Sequence, residues 1–249
     1  MNTAKPKQVY FFGTCLVDLF YPEAGLAGIR LIQREGVDVI FPQGQSCCGQ
    51  PAWNSGYRDD ARDVAAAQLA LFTKEIPVVV PSASCAGMMK EHYPALFRDT
   101  PLETIAVDLS KRIVELTAFL VDVLDIRIED LGAPQKVAIH SSCSALREMQ
   151  VGDKIESLVS NLSRIEKVEQ AYKRECCGFG GTFSIKQPEI SGAMVADKTA
   201  TIRESGADIL VSQDCGCLMN IAGAFEKQGD GPRCMHIAEF LWERTHADD

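Results

Sequence analysis

Residues 43–57 read QGQSCCGQPAWNSGY, and residues 173–184 read KRECCGFGGTFS. Each stretch sets two cysteines side by side, Cys47–Cys48 and Cys176–Cys177, and follows them with glycine. Working outward from these pairs, four further cysteines complete a repeat. Cys15 maps to Cys143 with an offset of 128, the pairs map to each other with 129, and Cys85 maps to Cys217 with 132. The spacings are C-x31-CC-x36-C and C-x32-CC-x39-C. Slowly drifting offsets are those of a duplicated unit that has gained small loop insertions. The flanks agree, because PVVVPSASC (77–85) faces DILVSQDCGC (208–217) and ELTAFL (115–120) faces HIAEFL (236–241).

Local patterns give each copy the same elements. QVYFFG and KVAIH are short apolar runs rich in β-branched and aromatic residues, and each ends just before a cysteine, which predicts strands. VDVIFP and the weaker IEKVEQ lead to the cysteine pairs, and PVVVP and DILVS lead to Cys85 and Cys217. Helical segments lie between them. RDDARDVAAAQLALF is rich in helix formers, and Ile155, Leu158, Val159 and Leu162 share one helical face. Pro22 fits a helix start and Gly36 a stop. Strands alternating with helices predict an α/β chain of two tandem related units, each with a mostly parallel sheet. Gly132 and Pro134 break the pattern, so the units are expected to span 1–130 and 135–249. In a parallel sheet, ligands bind beyond the carboxyl ends of the strands. Three loops at that edge would gather one, two and one thiols per unit.

Composition narrows the chemistry. A hydrophobic content of 46% with 24% charged residues is that of a globular protein. The net charge of −9 disfavours nucleic acid, whose phosphates attract Lys and Arg. No apolar run reaches the roughly 18 residues of a membrane helix. The N-terminal apolar patch is too short for a signal peptide, so a cytoplasmic location is expected. Ten cysteines in reducing surroundings point to metal or redox chemistry.

Four thiols at one sheet edge admit several readings. Free cysteines are often small buried hydrophobes, which suits Cys234 but not a matched set of eight. A disulfide between sequence neighbours is strained, since their Cα atoms sit about 3.8 Å apart. Zinc and iron–sulfur clusters both select soft thiolates. Zinc usually takes close-set pairs, whereas a cluster can span adjacent thiolates aimed at different irons. The glycines after each pair would let backbone N–H groups approach the sulfurs. GFGG lacks the G-x-G-x-x-G spacing of a nucleotide site. His140 and His236 stand at strand ends where they could reach a sulfur, although satisfaction by backbone is the weightier expectation. His92 and His246 read as surface residues.

The repeated C…CCG…C layout resembles the cysteine-rich CCG domain family, which includes the cysteine-rich component of heterodisulfide reductases and the iron–sulfur component of glycolate oxidase. CCGQPAWNSGY, CCGFGGTFS, CLMNIAG and MHIAEFL are most similar to its lactate utilisation protein A branch. The resemblance implies an iron–sulfur electron-transfer subunit of an oxidoreductase that converts L-lactate to pyruvate with B- and C-type companions, inactive alone. With that chemistry, the matched thiols predict two clusters, one on Cys15, Cys47, Cys48 and Cys85 and one on Cys143, Cys176, Cys177 and Cys217, and four thiolates per unit make 4Fe-4S the expected type. Zinc in one or both sites, without redox activity, remains the alternative. So does a subunit of another 2-hydroxy-acid or thiol/disulfide oxidoreductase. The heterodisulfide reductase branch ends each unit in C-x-x-C, but Met88 and Asn220 stand at that last position here. Cys215 faces Ala83 across the repeat and is expected to be a bystander.

Overall fold

A computed structural model describes residues 5–246. Six strands form where the apolar runs place them: β1 Gln8–Phe11, β2 Asp38–Ile40, β3 Val78–Val80, β5 Gln135–His140, β6 Ile165–Lys167 and β7 Ile209–Ser212. Two more, β4 Ile113–Glu115 and β8 Arg233–His236, complete the sheets. Their sequences, IVE and RCMH, are too short and too mixed to announce a strand. The result is two four-stranded sheets, ordered β2-β1-β3-β4 and β6-β5-β7-β8, with every pairing parallel.

The registers of the two sheets match. Phe11 pairs with Val79 in the first, and Ile139 with Val211 in the second. These are the offsets of 128 and 132 read from the cysteines. Gly36 ends the helix Pro22–Arg34 with φ of 75°, and the helices Arg58–Leu69 and Gly152–Ser160 form on the segments that pattern marks.

Side-chain alternation along the strands divides the core into layers. Tyr10, Phe12, Val78 and Val80 face helices of the first half, and Ala138 and Leu210 face those of the second. The opposite faces, with Val9, Phe11, Val79, Val137, Ile139 and Val211, enter one shared layer. Helices are exchanged across it. Pro22–Arg34 packs on Ile237–Glu243, and Leu116–Ala118 packs on Gly152–Ser160. The last helix of the chain therefore covers an early helix of the first half.

Polar contacts fix the connection. Asp130 and Arg244 are both buried, and Arg244 Nε donates to Asp130 Oδ1 at 2.6 Å. Asp130 Oδ2 accepts from the Arg164 backbone N–H at 2.7 Å, and Arg244 Nη1 donates to the Ala133 carbonyl. The guanidinium lies so close over Gly132 that any Cβ there would collide with it. Removing one partner of a buried ion pair leaves a charge without compensation. Asp130→Ala is therefore expected to cost about 3–5 kcal/mol in urea unfolding. Asp108→Ala, which breaks the exposed pair with Lys111, should cost under about 1 kcal/mol. Equal midpoints for the two variants would show that the Asp130–Arg244 pair contributes nothing.

Candidate metal centre

The carboxyl ends of both sheets open onto one cleft of about 330 Å³. Cys15, Cys47, Cys48, Cys85, Cys143, Cys176, Cys177 and Cys217 all line it. Thus the eight matched thiols meet at a single opening between the halves. All ten cysteines are free thiols. Cys215 is buried but does not line the cleft, and Cys234 lies on β8 beside a separate hollow.

Each thiol is placed by a short element. Cys15 starts the helix Cys15–Phe20, capped by Thr14. Cys85 sits in the helix Ala83–Gly87, and Cys217 in the first turn of Cys215–Gln228. Cys143 precedes a wide π-helical turn over Ser144–Glu148, a local widening common at functional sites. The pairs lie in loops. Gly49 and Gly178 follow them in the left-handed region, with φ of 87° and 85°. That conformation turns the Gly49 N–H onto Cys47 Sγ and the Gly178 N–H onto Cys176 Sγ, each at 3.4 Å. A Cβ at Gly178 would also lie 2.8 Å from the Ser191 carbonyl oxygen.

The surroundings repeat this symmetry. Tyr93 Oη donates to the Cys48 carbonyl at 3.0 Å, and Asn220 Nδ2 to the Cys177 carbonyl at 2.7 Å. Asn220 thus braces a cysteine loop, while Met88 is fully buried in the core. Cys48 Sγ lies 3.4 Å from Cys85 Sγ. Hydrogen bonds from Cys15 and Cys48 bring the Cys47 thiol down to about 3, and those from Cys143 and Cys177 bring Cys176 down to about 2. The partners Cys15 and Cys143 move up in turn, as donors to those sulfurs. In each set the glycine N–H points at the first cysteine of the pair.

Asp214 lies at the seam. It is buried, and burial raises its pKa. Its carboxylate accepts from the Ser84 N–H at 2.9 Å, Ser84 Oγ at 3.0 Å and Ser82 Oγ at 3.3 Å. Ser55 and Thr182 hydroxyls meet across the same seam at 2.5 Å. The Asp214 contacts hold the Cys85 loop against the Cys217 loop, and the Ser55–Thr182 contact joins the segments that follow the two cysteine pairs. Sequence reasoning missed Asp214, although its position opposite Ser82 in the repeat marks it as a point where the halves differ.

Trp53 is half-buried, stacked under Arg58 and beside His92. Phe179 is half-buried along the cleft and presses on Gly216. His92 pairs with Glu148 at 3.2 Å and is not a bare surface residue, whereas His246 is exposed. His236 is satisfied by backbone: its Nε2 contacts the Pro81 carbonyl and its Nδ1 accepts from the Ala238 N–H. His140 departs from expectation. It is buried, burial brings it down to about 4, and neither ring nitrogen has a hydrogen-bond partner. Its donor atom and the sulfurs of Cys177 and Cys217 all lie within 4.8 Å of one another.

Unpaired thiols that converge on one opening, with backbone N–H groups aimed at two of them, fit a group bound through soft sulfur donors. Clustered cysteines of this kind suit metal binding. Among the described residues, no helix is long and apolar enough to cross a membrane.

Comparison with known proteins agrees with this architecture. The cysteine-rich domain (CCG) matches twice, over residues 9–90 and 137–222. "Lactate utilization protein A" of Geobacillus sp. (strain WCH70) is 44% identical over 240 residues, covering 95% of this chain and all of that protein. The protein of the same name from Bacillus subtilis (strain 168) is 43% identical over 240 residues, with the same coverage. A crystal structure of a hypothetical protein from Helicobacter pylori shares the fold, with a TM-score of 0.63 at 12% identity. It covers all of this chain, which spans 51% of that structure. The two domain matches and the near full-length identity place the chain in the cysteine-rich CCG domain family, among the lactate utilization A proteins.

Proposed function

We propose that this chain is an iron–sulfur electron-transfer subunit acting in the oxidation of L-lactate to pyruvate, in the cytoplasm, with B- and C-type companions. The observation that carries this reading is the convergence of eight matched thiols on one cleft, in a chain whose relatives bear the name lactate utilization protein A. Cys15, Cys47, Cys48 and Cys85 would hold one 4Fe-4S cluster, and Cys143, Cys176, Cys177 and Cys217 a second. Such a cluster supplies reversible one-electron storage.

The protein's own residues prepare both places. The Gly49 and Gly178 N–H groups donate to sulfur, which stabilises added negative charge and favours the reduced state. Asp214 and its serine partners keep the two cysteine loops facing a common opening. The sequence carries no nicotinamide fingerprint such as G-x-G-x-x-G, so hydride acceptance falls to a companion. Exposed Leu19 and Phe41 lie in a hollow beside Cys15 and Cys47, where a companion could approach.

One observation favours a second reading for the second half. His140 with Cys177 and Cys217 is also a donor set that zinc accepts, which would make the chain a scaffold without redox activity. Protein purified without oxygen separates the two. Brown colour with iron and acid-labile sulfide supports the clusters, while a colourless zinc protein removes them.

Two outcomes follow for the iron–sulfur reading. Cys48→Ser is expected to lose about half of the iron, since one of two sites is broken, and Cys234→Ser none. Full iron in both variants would refute the ligand assignment. The isolated chain should show no lactate oxidation with artificial acceptors, and activity should appear when the companions are added. Turnover by the chain alone would refute its role as a relay.

A further inference from the structure

The two halves repeat each other closely, so the places where they differ next to the cysteines are informative. His140 ends β5 and is 1% exposed. Both ring nitrogens lack a hydrogen-bond partner. The other three histidines are engaged: His92 by Glu148, His236 by Pro81 and Ala238, and His246 by Thr245 and Trp242. A buried imidazole without a partner has lost its hydration and gained nothing in return, which folded proteins rarely tolerate.

Packing does not require an imidazole there. The matched registers of the two sheets put Phe12 at the corresponding place in the first half. Phe12 is fully buried in the layer that contains Cys48. A benzyl side chain thus fills the same strand end beside the other thiol set. What histidine adds is a nitrogen donor, held within 4.8 Å of the Cys177 and Cys217 sulfurs. These three residues form the deep end of the second set, and the exposed Cys143 forms its mouth.

A second difference points the same way. Helix Pro188–Glu204 repeats helix Arg58–Leu69, and Lys198 stands where the first half has Gln68. Both are buried. Gln68 is occupied by Ser46. Lys198 is buried, and its ammonium donates to the Tyr172 carbonyl at 2.9 Å. Its field reaches Cys176, Cys177 and Cys217.

We propose that His140 is a nitrogen ligand of the metal group held by the second half, so that the two sites of the chain are chemically unlike. The first is built from four thiolates, and in the second the imidazole takes one iron's position in place of one of the four thiolates assigned above, with Cys177 and Cys217 beside it. This rests on the reading that the matched thiols hold iron–sulfur clusters. Imidazole ligation brings a neutral donor where thiolate brings a negative one, and it raises the reduction potential of an iron–sulfur centre. The second site is then the more readily reduced of the pair.

The test uses the full chain, reconstituted without oxygen with iron and sulfide and then reduced, with its histidines labelled with 15N. Pulsed electron paramagnetic resonance of the wild-type protein should show a directly bound histidine nitrogen. His140→Phe, which installs the residue of the first half, should lose that coupling and lower the more positive of the two midpoint potentials. His92→Phe should keep both. Clusters without a strongly coupled nitrogen in the wild-type protein would overturn this inference and leave the thiolate sites standing. Persistence of the coupling in His140→Phe would also overturn it. Failure of the chain to take up iron would remove both this inference and the function on which it rests.

Discussion

Val9 and Phe11 from one sheet and Val137 and Ile139 from the other are buried in the same apolar layer, and this shared burial sets how the sheets stand to each other. Each fully buried residue of this kind is stabilised by about 1.5–3 kcal/mol. The hydrogen bonds at the seam, such as Ser84 to the Asp214 carboxylate, contribute about 1.5–3 kcal/mol each, but they are few against the many buried residues of that layer. The apolar layer therefore carries the association, and the polar contacts adjust its register. Because all strands in both sheets are parallel, their carboxyl ends have one direction per half. Joined through this layer, the two ends open on a common cleft.

Within that cleft, the thiols are unequal before any metal is considered. Cys47 and Cys176 collect hydrogen bonds from neighbouring thiols and from a glycine N–H. Cys48 and Cys177, one residue further on, are buried donors with raised pKa values. The adjacent cysteines thus have different surroundings: one receives a backbone N–H and is half-buried, and the other is buried in the core. The left-handed glycine that follows is what allows both arrangements within three residues.

Much of this was legible in the sequence because it rests on local signals. β-branched runs marked the six inner and leading strands, and the drift of cysteine offsets from 128 to 132 matched the observed sheet registers. β4 and β8 were not legible, since a strand such as Arg233–His236 draws its conformation from pairing with β7 and not from its own composition. The shared layer was hidden for a similar reason. Alternation along Val9–Phe12 shows two buried faces but does not say whose helices cover them. His140 illustrates the limit most clearly. Its place at a strand end near Cys143 was visible, yet the absence of any backbone partner, which makes it chemically interesting, depends on the packing of Cys177 and Cys217 around it.

The exchange of helices between the halves has a consequence for the order of events during synthesis. Helix Pro22–Arg34 is covered by Ile237–Glu243, and the helix bearing Cys15 leans on Cys215–Gln228. Contacts between segments this far apart in the chain close slowly, because a long loop must be ordered before they form. While the ribosome is still adding the second half, the first half has an uncovered helix and an unfinished cysteine cradle. The cleft onto which both thiol sets open is thereby complete only once helix Ile237–Glu243 has docked on Pro22–Arg34.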